Sequence, residues 1–251
     1  MTPPLLELRH VARSFGGVTA VRDVSLTLNR GEVIGVIGPN GAGKTTLVNV
    51  ITGVHPPSSG QILHEGEPIH HLKPYQVAAR GIARTFQVVQ PFPAMTVLEN
   101  AMAGALFGAR LRSMGEARES ALEHLRFCGL HTLAERPAAQ LTLAQRKRLE
   151  LAKSLAMGPR LLMLDEVNAG LNTAEVDQAL ELIRAIAARG ITVLIIEHLL
   201  KVVITLCQRV VVLHHGELIA DDSPTAVVRD ERVVKAYLGD KFARRFGAAH
   251  G

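Results

Sequence analysis

The chain has 251 residues, 47% of them apolar and 20% charged, which suits one large domain with a real core, or a domain carrying a sizeable insertion. A net charge of +5 could suit nucleic acid or an anionic surface. The basic residues are spread along the chain, however, the densest runs being Arg146-Lys147-Arg148 and Arg244-Arg245. Aromatics are 4% of the chain and Trp is absent, so base-stacking platforms are scarce and no nucleic-acid partner is expected. Pro3, Pro4, Glu7 and Arg9 interrupt any secretory apolar region. The longest strongly apolar runs, such as 191–196, are too short to cross a bilayer, so any membrane work needs partners. Cys128 and Cys207 lie in apolar helical stretches at no metal-ligand spacing and read as buried thiols of a cytosolic chain.

In chain order, residues 5–30 alternate apolar and polar positions, with Val24, Leu26 and Leu28 on one face, as antiparallel strands with one wet face do. The apolar run 33–37 reads as a buried strand and 46–51 as a helix. Between them stands Gly38-Pro39-Asn40-Gly41-Ala42-Gly43-Lys44-Thr45, a match to the phosphate-loop pattern at every fixed position. Its glycines let backbone N–H groups turn inward, and the helix N-terminus adds partial positive charge where phosphates would sit. Lys44 would neutralise the β- and γ-phosphates and the Thr45 hydroxyl would ligate Mg²⁺. A nucleoside triphosphate is the expected ligand.

Further on, 61–69 reads as a hairpin turning at Glu65-Gly66, 74–80 as a helix opened by Pro74 and closed by Gly81, and 82–86 as a strand leading to Gln87. From about 90 to 158 the pattern is helical throughout. Capping boxes at Thr96/Glu99 and Thr142/Gln145 open two of the helices, and 116–127 reads as another. Alternation of strand and helix then resumes, with a buried strand at 161–164, an amphipathic helix at 174–189 stopped by Gly190, and a buried strand at 191–196. A hairpin over 209–220 turns at His215-Gly216, and two short helices end the chain.

Asp165-Glu166 follows the strand at 161–164 directly. In a phosphate-loop fold such a strand is expected beside the one feeding the loop, so that Asp165 can reach the metal and Glu166 can orient or deprotonate the attacking water. Glu197-His198 repeats the placement at the tip of the next strand. A histidine there can donate to a γ-phosphate, though position alone does not choose between that role and a structural one. The pairs His70-His71 and His214-His215 fall at turns with no third ligand at suitable spacing for a metal.

Taken in order, these motifs resemble the ATP-binding cassette ATPases over nearly the whole chain, from Leu5 to about Gly239. The resemblance implies an α/β fold: a P-loop NTPase (RecA-like) core with an antiparallel β subdomain and an inserted α-helical subdomain. It implies one nucleotide-binding domain over 5–240, with core and β parts at 5–87 and 159–240, the helical part at 88–158, and a tail at 241–251. It makes Phe15 the adenine-stacking aromatic, Gln87 the metal-sensing Q-loop glutamine, 161–166 the Walker B strand, Ala169-Gly170-Leu171-Asn172 the D-loop and His198 the switch histidine. ATP would lie on Phe15, Gly38, Pro39, Asn40, Gly41, Ala42, Gly43, Lys44, Thr45 and Thr46. Thr45, Gln87 and Asp165 would hold Mg²⁺, and Glu166, His198 and Gln87 would serve catalysis.

Three departures stand out. The family signature Leu-Ser-Gly-Gly-Gln is here Leu141-Thr142-Leu143-Ala144-Gln145, the usual Asp-Glu-Pro is Asp165-Glu166-Val167, and the D-loop aspartate is Asn172. Thr142 keeps the hydroxyl and the capping box keeps a helix N-terminus aimed at an anion, so Thr142 and Gln145 are assigned to the nucleotide of a second cassette. Arg84-Thr85-Phe86-Gln87, Thr96-Val97-Leu98-Glu99-Asn100, Ile196-Glu197-His198 and Ala236-Tyr237-Leu238-Gly239 look like the ATP-binding subunits of branched-chain amino-acid (Liv-type) importers. The resemblance therefore implies a second cassette, identical or paralogous, two transmembrane permease subunits docked near 88–101, and indirectly a solute-binding protein. The chain would sit on the cytoplasmic face of the inner membrane. A lipopolysaccharide or other exporter cassette, or a soluble non-transport ATPase of the same family, remains the alternative.

Overall fold

The computed structural model describes residues 3–87, 89–108, 113–197 and 200–238. The expected switch residue His198, the tail 241–251 and Gly239 lie outside the described residues. The chain divides into two compact units, 1–71 with 194–251, and 72–193.

In the first unit, β1 (Leu6–Phe15) and β2 (Val18–Leu28) pair antiparallel, with Leu6 opposite Leu28 and Leu8 opposite Leu26. The alternation seen in the sequence places these leucines on the buried face. The register shifts between Leu8 and Val11. There His10 and Asp23 both adopt positive φ, 51° and 50°, and join Nδ1 to Oδ1 at 2.7 Å, as a bulge allows. β4 (Ser59–His64) adds to β1, and β5 (Glu67–Pro68) to β4 through the turn at Glu65-Gly66, whose φ values of 54° and 86° suit a tight hairpin. β3 (Val33–Ile37) is buried at all five positions and feeds α1 (Lys44–Ile51), as expected of a strand covered on both faces. It pairs in parallel with β9 (Arg209–His214), which turns into β10 (Glu217–Asp222) at His215-Gly216. Strand order here is β10-β9-β3-β8, with β8 at Thr192–Ile196.

The neighbour of β3 on its second side is therefore β8. The expectation that the Asp165-Glu166 strand lies beside β3 is corrected. Crossover connections between parallel strands are long enough to place strands out of chain order, so order along the sequence does not fix neighbours in the sheet. The first unit also holds α7 (Leu200–Leu206), α8 (Pro224–Val227) and α9 (Glu231–Leu238). Cys207 follows α7, buried beneath Gly35, and burial pushes its thiol up to about 12.

In the second unit, α2 (Pro74–Ala78) precedes β6 (Ile82–Arg84), which pairs in parallel with β7 (Leu161–Asp165). Both first elements are shorter than the sequence suggests. Gly81 at φ 82° stops the helical turn, and the strand ends at Arg84 although Thr85 N still donates to Met163 O at 2.9 Å. Between them the chain forms α3 (Val97–Gly108), α4 (Met114–Phe127) and α5 (Leu143–Ala156), with short 3₁₀ turns at His131–Leu133 and Ala138–Gln140. Ala105, Ala117 and Ala156 pack as one buried cluster, so these helices meet on small residues. A Cβ at Gly104 would stand 2.2 Å from Lys153 O, so only glycine lets α3 lie this close to α5. α6 (Thr173–Ala188) completes the unit, closed by the Asn172/Glu175 capping box. Among the described residues, no helix is long and apolar enough to cross a membrane.

Candidate functional site

In the first unit the loop between β3 and α1 is shaped by its glycines. Gly38 has φ 154°, and a Cβ there would fall 2.2 Å from Leu213 O; Gly43 has φ 104°, and a Cβ would fall 2.3 Å from Ala20 O. Both positions therefore require glycine by conformation and by space. Gly216 N donates to Ala42 O at 3.0 Å, so the β9–β10 turn clamps the loop from below. The Lys44 side chain is buried and curls over the loop, with Nζ donating to Gly38 O at 2.7 Å and Pro39 O at 3.0 Å. Asn40, Gly41 and Thr45 are exposed, and Pro39, Gly43 and Thr46 half-buried. α1 carries no acidic residue in its first turn, whereas α3, α4 and α6 carry Glu99, Glu116 and Glu175 there. The positive end of α1 is thus left without a carboxylate of its own, open to an anion.

Phe15 ends β1 and is 40% exposed, with the Arg13 guanidinium 4.5 Å from its ring centroid and His55 edge-on at 5.1 Å. It is a surface ring held in place, not a core aromatic, and its exposed area can accept a flat base. Tyr237 of α9 was not singled out on its own by the sequence. Its phenol oxygen accepts from the Gly38 N–H, and burial is the main cause that pushes its ionisation up.

In the second unit, the Asp165 carboxylate is buried at the tip of β7, where Arg84 Nη2 donates to Oδ2 at 3.1 Å and Asp165 N donates to Thr85 Oγ1 at 3.3 Å. Glu166 follows with φ 48°, a left-handed backbone uncommon for this residue type. The turn swings its side chain to Gln87, whose Nε2 donates to Glu166 Oε2 at 2.6 Å. Asp165, Glu166 and Gln87 are therefore brought to one end of β6 and β7. The Asp165 carboxylate, the Gln87 amide oxygen and, in the other unit, the Thr45 hydroxyl are hard oxygen donors of the kind that suits Mg²⁺. The buried cation that Arg84 offers to Asp165 is consistent with a carboxylate built to face positive charge. Sequence reading missed this arginine because nothing in its spacing points across to a strand 81 positions away.

The expected capping box at the start of α5 is closed. Gln145 N donates to Thr142 Oγ1 at 3.3 Å, and the Gln145 side chain accepts from Thr142 N at 3.0 Å. This helix, too, has no acid in its first turn, and Thr142 and Leu143 are exposed. A Cβ at Gly170 would meet Leu143 Cδ2 at 3.0 Å, so Leu143 packs over Gly170 of its own chain.

The sequence profile of the ABC transporter family matches residues 21–169, and that of branched-chain amino acid ATP-binding cassette transporters matches 217–243. The chain is 39% identical over 254 aligned residues to the high-affinity branched-chain amino acid transport ATP-binding protein BraF of Pseudomonas aeruginosa, covering 96% of this chain and 100% of that protein. Its fold superposes on the ADP conformation of MJ1267, an ATP-binding cassette of an ABC transporter, with a TM-score of 0.86 and 33% identity over 95% of this chain and all of the other. A dimeric cassette, MJ0796, in a post-hydrolysis state bound to ADP and Pi, gives 0.78 and 25% over 87% of this chain and 98% of that one.

Proposed function

Because the chain belongs to the ABC transporter family, as one of its ATP-binding cassette ATPases, we propose that it powers uptake of branched-chain or related amino acids through two transmembrane partner subunits. We read residues 5–240 as one cassette whose helical part, 88–158, meets those partners on the cytoplasmic face of the membrane. The observation that carries the reading is a phosphate loop in which Gly38 and Gly43 admit no side chain and a buried lysine lies over the backbone. The choice of amino acid as cargo is supported by the likeness of 217–243 to branched-chain cassettes.

ATP is bound by backbone N–H groups of 41–46 and by the positive end of α1. Lys44 exchanges the carbonyl oxygens of Gly38 and Pro39 for the terminal phosphates, which it neutralises. The Phe15 ring carries the base. Mg²⁺, when bound, supplies charge neutralisation to the β- and γ-phosphates, and Thr45, Asp165 and Gln87 provide its oxygen ligands. Glu166 accepts a proton from the attacking water, with Gln87 holding its carboxylate in place beforehand. His198 donates to the γ-phosphate and stabilises the charge that develops there. Thr142 and Gln145 act on the nucleotide of a second cassette, so that ATP joins two chains and its cleavage releases them.

The test is turnover and uptake in membranes containing the assembled transporter. Wild-type protein is expected to hydrolyse ATP and to drive accumulation of radiolabelled leucine, isoleucine or valine. Lys44→Ala is expected to lower ATP affinity and turnover by roughly 100-fold or more, since a charge-assisted contact to phosphate is removed. Near-normal turnover in that variant would defeat the site assignment, and active hydrolysis without amino-acid uptake would defeat the cargo assignment.

A further inference from the structure

The run Arg146-Lys147-Arg148 looks from the sequence like a solvated basic patch, yet its three side chains go to three different places. Arg146 Nη2 donates to Ala139 O at 3.0 Å and Arg148 Nη2 donates to Gln178 Oε1. Lys147 is buried, 7% exposed, and its Nζ donates to Val167 O at 2.8 Å and to Glu166 O at 3.3 Å. Two successive carbonyl groups thus converge on one ammonium in the interior of the second unit. Such convergence is what a left-handed residue produces, and Glu166 is that residue, at φ 48°. A non-glycine residue persists in this conformation only when its surroundings hold it there. The side-chain end of Glu166 is held separately, by Gln87 Nε2 at 2.6 Å.

We propose that Lys147 is a positioning residue that fixes the strained backbone of Glu166, and through it the direction of the carboxylate. The inference rests on the reading of Glu166 as the group that accepts the proton of water. Its consequence is a connection inside one chain. The helix that begins at Thr142, whose first turn is offered to a nucleotide on another cassette, also sets the base that serves the nucleotide on its own. A small shift of α5 on engaging the neighbouring phosphate moves Nζ against the Glu166 and Val167 carbonyls, and the hydrolytic geometry changes with it. The lysine's charge matters here, because an ammonium can satisfy two carbonyls at once while an amide N–H₂ group binds them more weakly. An apolar chain of similar length satisfies neither: the buried Val167 O loses this donor, and Glu166 O keeps the Ala169 N–H at 3.1 Å.

The experiment compares wild type, Lys147→Gln and Lys147→Met in the assembled transporter, measuring kcat and KM for ATP, nucleotide affinity, and folding by circular dichroism. The expected order of kcat is wild type, then Gln lower by about 3- to 10-fold, then Met lower by about 10- to 100-fold. KM and ATP affinity should stay within about twofold throughout, because the phosphate loop is untouched. Equal kcat in all three folded proteins would overturn the proposal, and so would losses in kcat matched by equal losses in affinity. Should Met prevent folding, Gln decides alone, and an unchanged kcat there overturns it. Glu166→Gln run beside them separates the two claims. If that variant still turns over at the wild-type rate, the reading of Glu166 falls and this proposal with it. If it is inactive while the Lys147 variants are not impaired, only the positioning role falls.

Discussion

At the scale of single residues, the groups most legible in the sequence were those whose chemistry is tied to a local spacing. Lys44 and Thr45 follow from the glycine pattern around them, and Asp165 from a short apolar run ending in an acid. Arg84, Lys147 and Tyr237 were not legible as site residues, because each acts through a contact with a distant segment: Asp165, the Glu166 turn and Gly38. A basic run gives no sign that its middle member is buried while its neighbours are not. His124, in the last turn of α4, shows the same competition between local and tertiary effects. A helix C-terminus favours a charged histidine, yet burial dominates and lowers its ionisation; Glu123 opposes this and Arg189 adds to it, while Nδ1 has no hydrogen-bond partner among the described residues. The folded state therefore prefers the neutral ring. With the folded pKa below the unfolded value of about 6.5, the unfolded chain binds more protons in the window between them, so stability from this site is present above 6.5 and is lost as pH falls through the folded pKa. Urea denaturation at pH 7.5 and 5.5 should show wild type losing more stability on acidification than His124→Gln. A difference of zero or of opposite sign would refute the burial argument.

At the scale of elements, the strands and capped helices were readable because period and capping are local properties. β3 and β7 are continuous apolar runs, and the boxes expected at Thr96/Glu99 and Thr142/Gln145 both close. The first of these also lowers the Glu99 carboxyl, chiefly through the Thr96 backbone N–H. Sheet order was not readable, since the choice between β7 and β8 as neighbour of β3 is made by crossovers rather than by either strand's own residues. Nor was the closeness of α3 to α5, which depends on which glycine faces which carbonyl. Gly104→Ala tests that packing. The substitution should gain up to about 1 kcal/mol in helix propensity, but its Cβ would stand 2.2 Å from Lys153 O, and overpacking a close contact costs about 1–3 kcal/mol or more. Steric cost wins, and the melting midpoint is expected to fall by several degrees. Gly115→Ala in α4 meets nothing nearer than Ser113 Oγ at 3.8 Å and should leave the midpoint unchanged or raise it slightly. A fall of equal size in both would show that the α3–α5 contact is not what governs the result.

At the scale of the whole molecule, the proposed part of Thr142 and Gln145 in the nucleotide site of a second cassette rests on an exposed helix start. Thr142 and Leu143 face solvent, the first turn of α5 has no acid to occupy its partial charge, and the capping box consumes the Gln145 N–H while leaving those of Leu143 and Ala144 to another acceptor. A γ-phosphate presented by a second cassette meets these requirements. The departures from the family signature bear on how tightly it does so, because Leu143 and Ala144 keep the backbone donors but add side chains where glycine would give closer approach. Glu166→Gln removes the proposed proton acceptor and keeps the Gln87 contact in neutral form, so ATP should bind and persist. In size-exclusion chromatography with its natural partner cassette, this variant is expected to elute as a dimer in saturating Mg·ATP and as separate chains in ADP. Adding Thr142→Ala should shift the ATP-dependent equilibrium back toward separate chains by about fivefold or more, the loss of one charge-assisted hydrogen bond, while nucleotide affinity of the isolated chain stays unchanged. A Glu166→Gln protein that remains unpaired with ATP and its partner present would remove the shared-nucleotide mechanism, whatever its affinity for ATP.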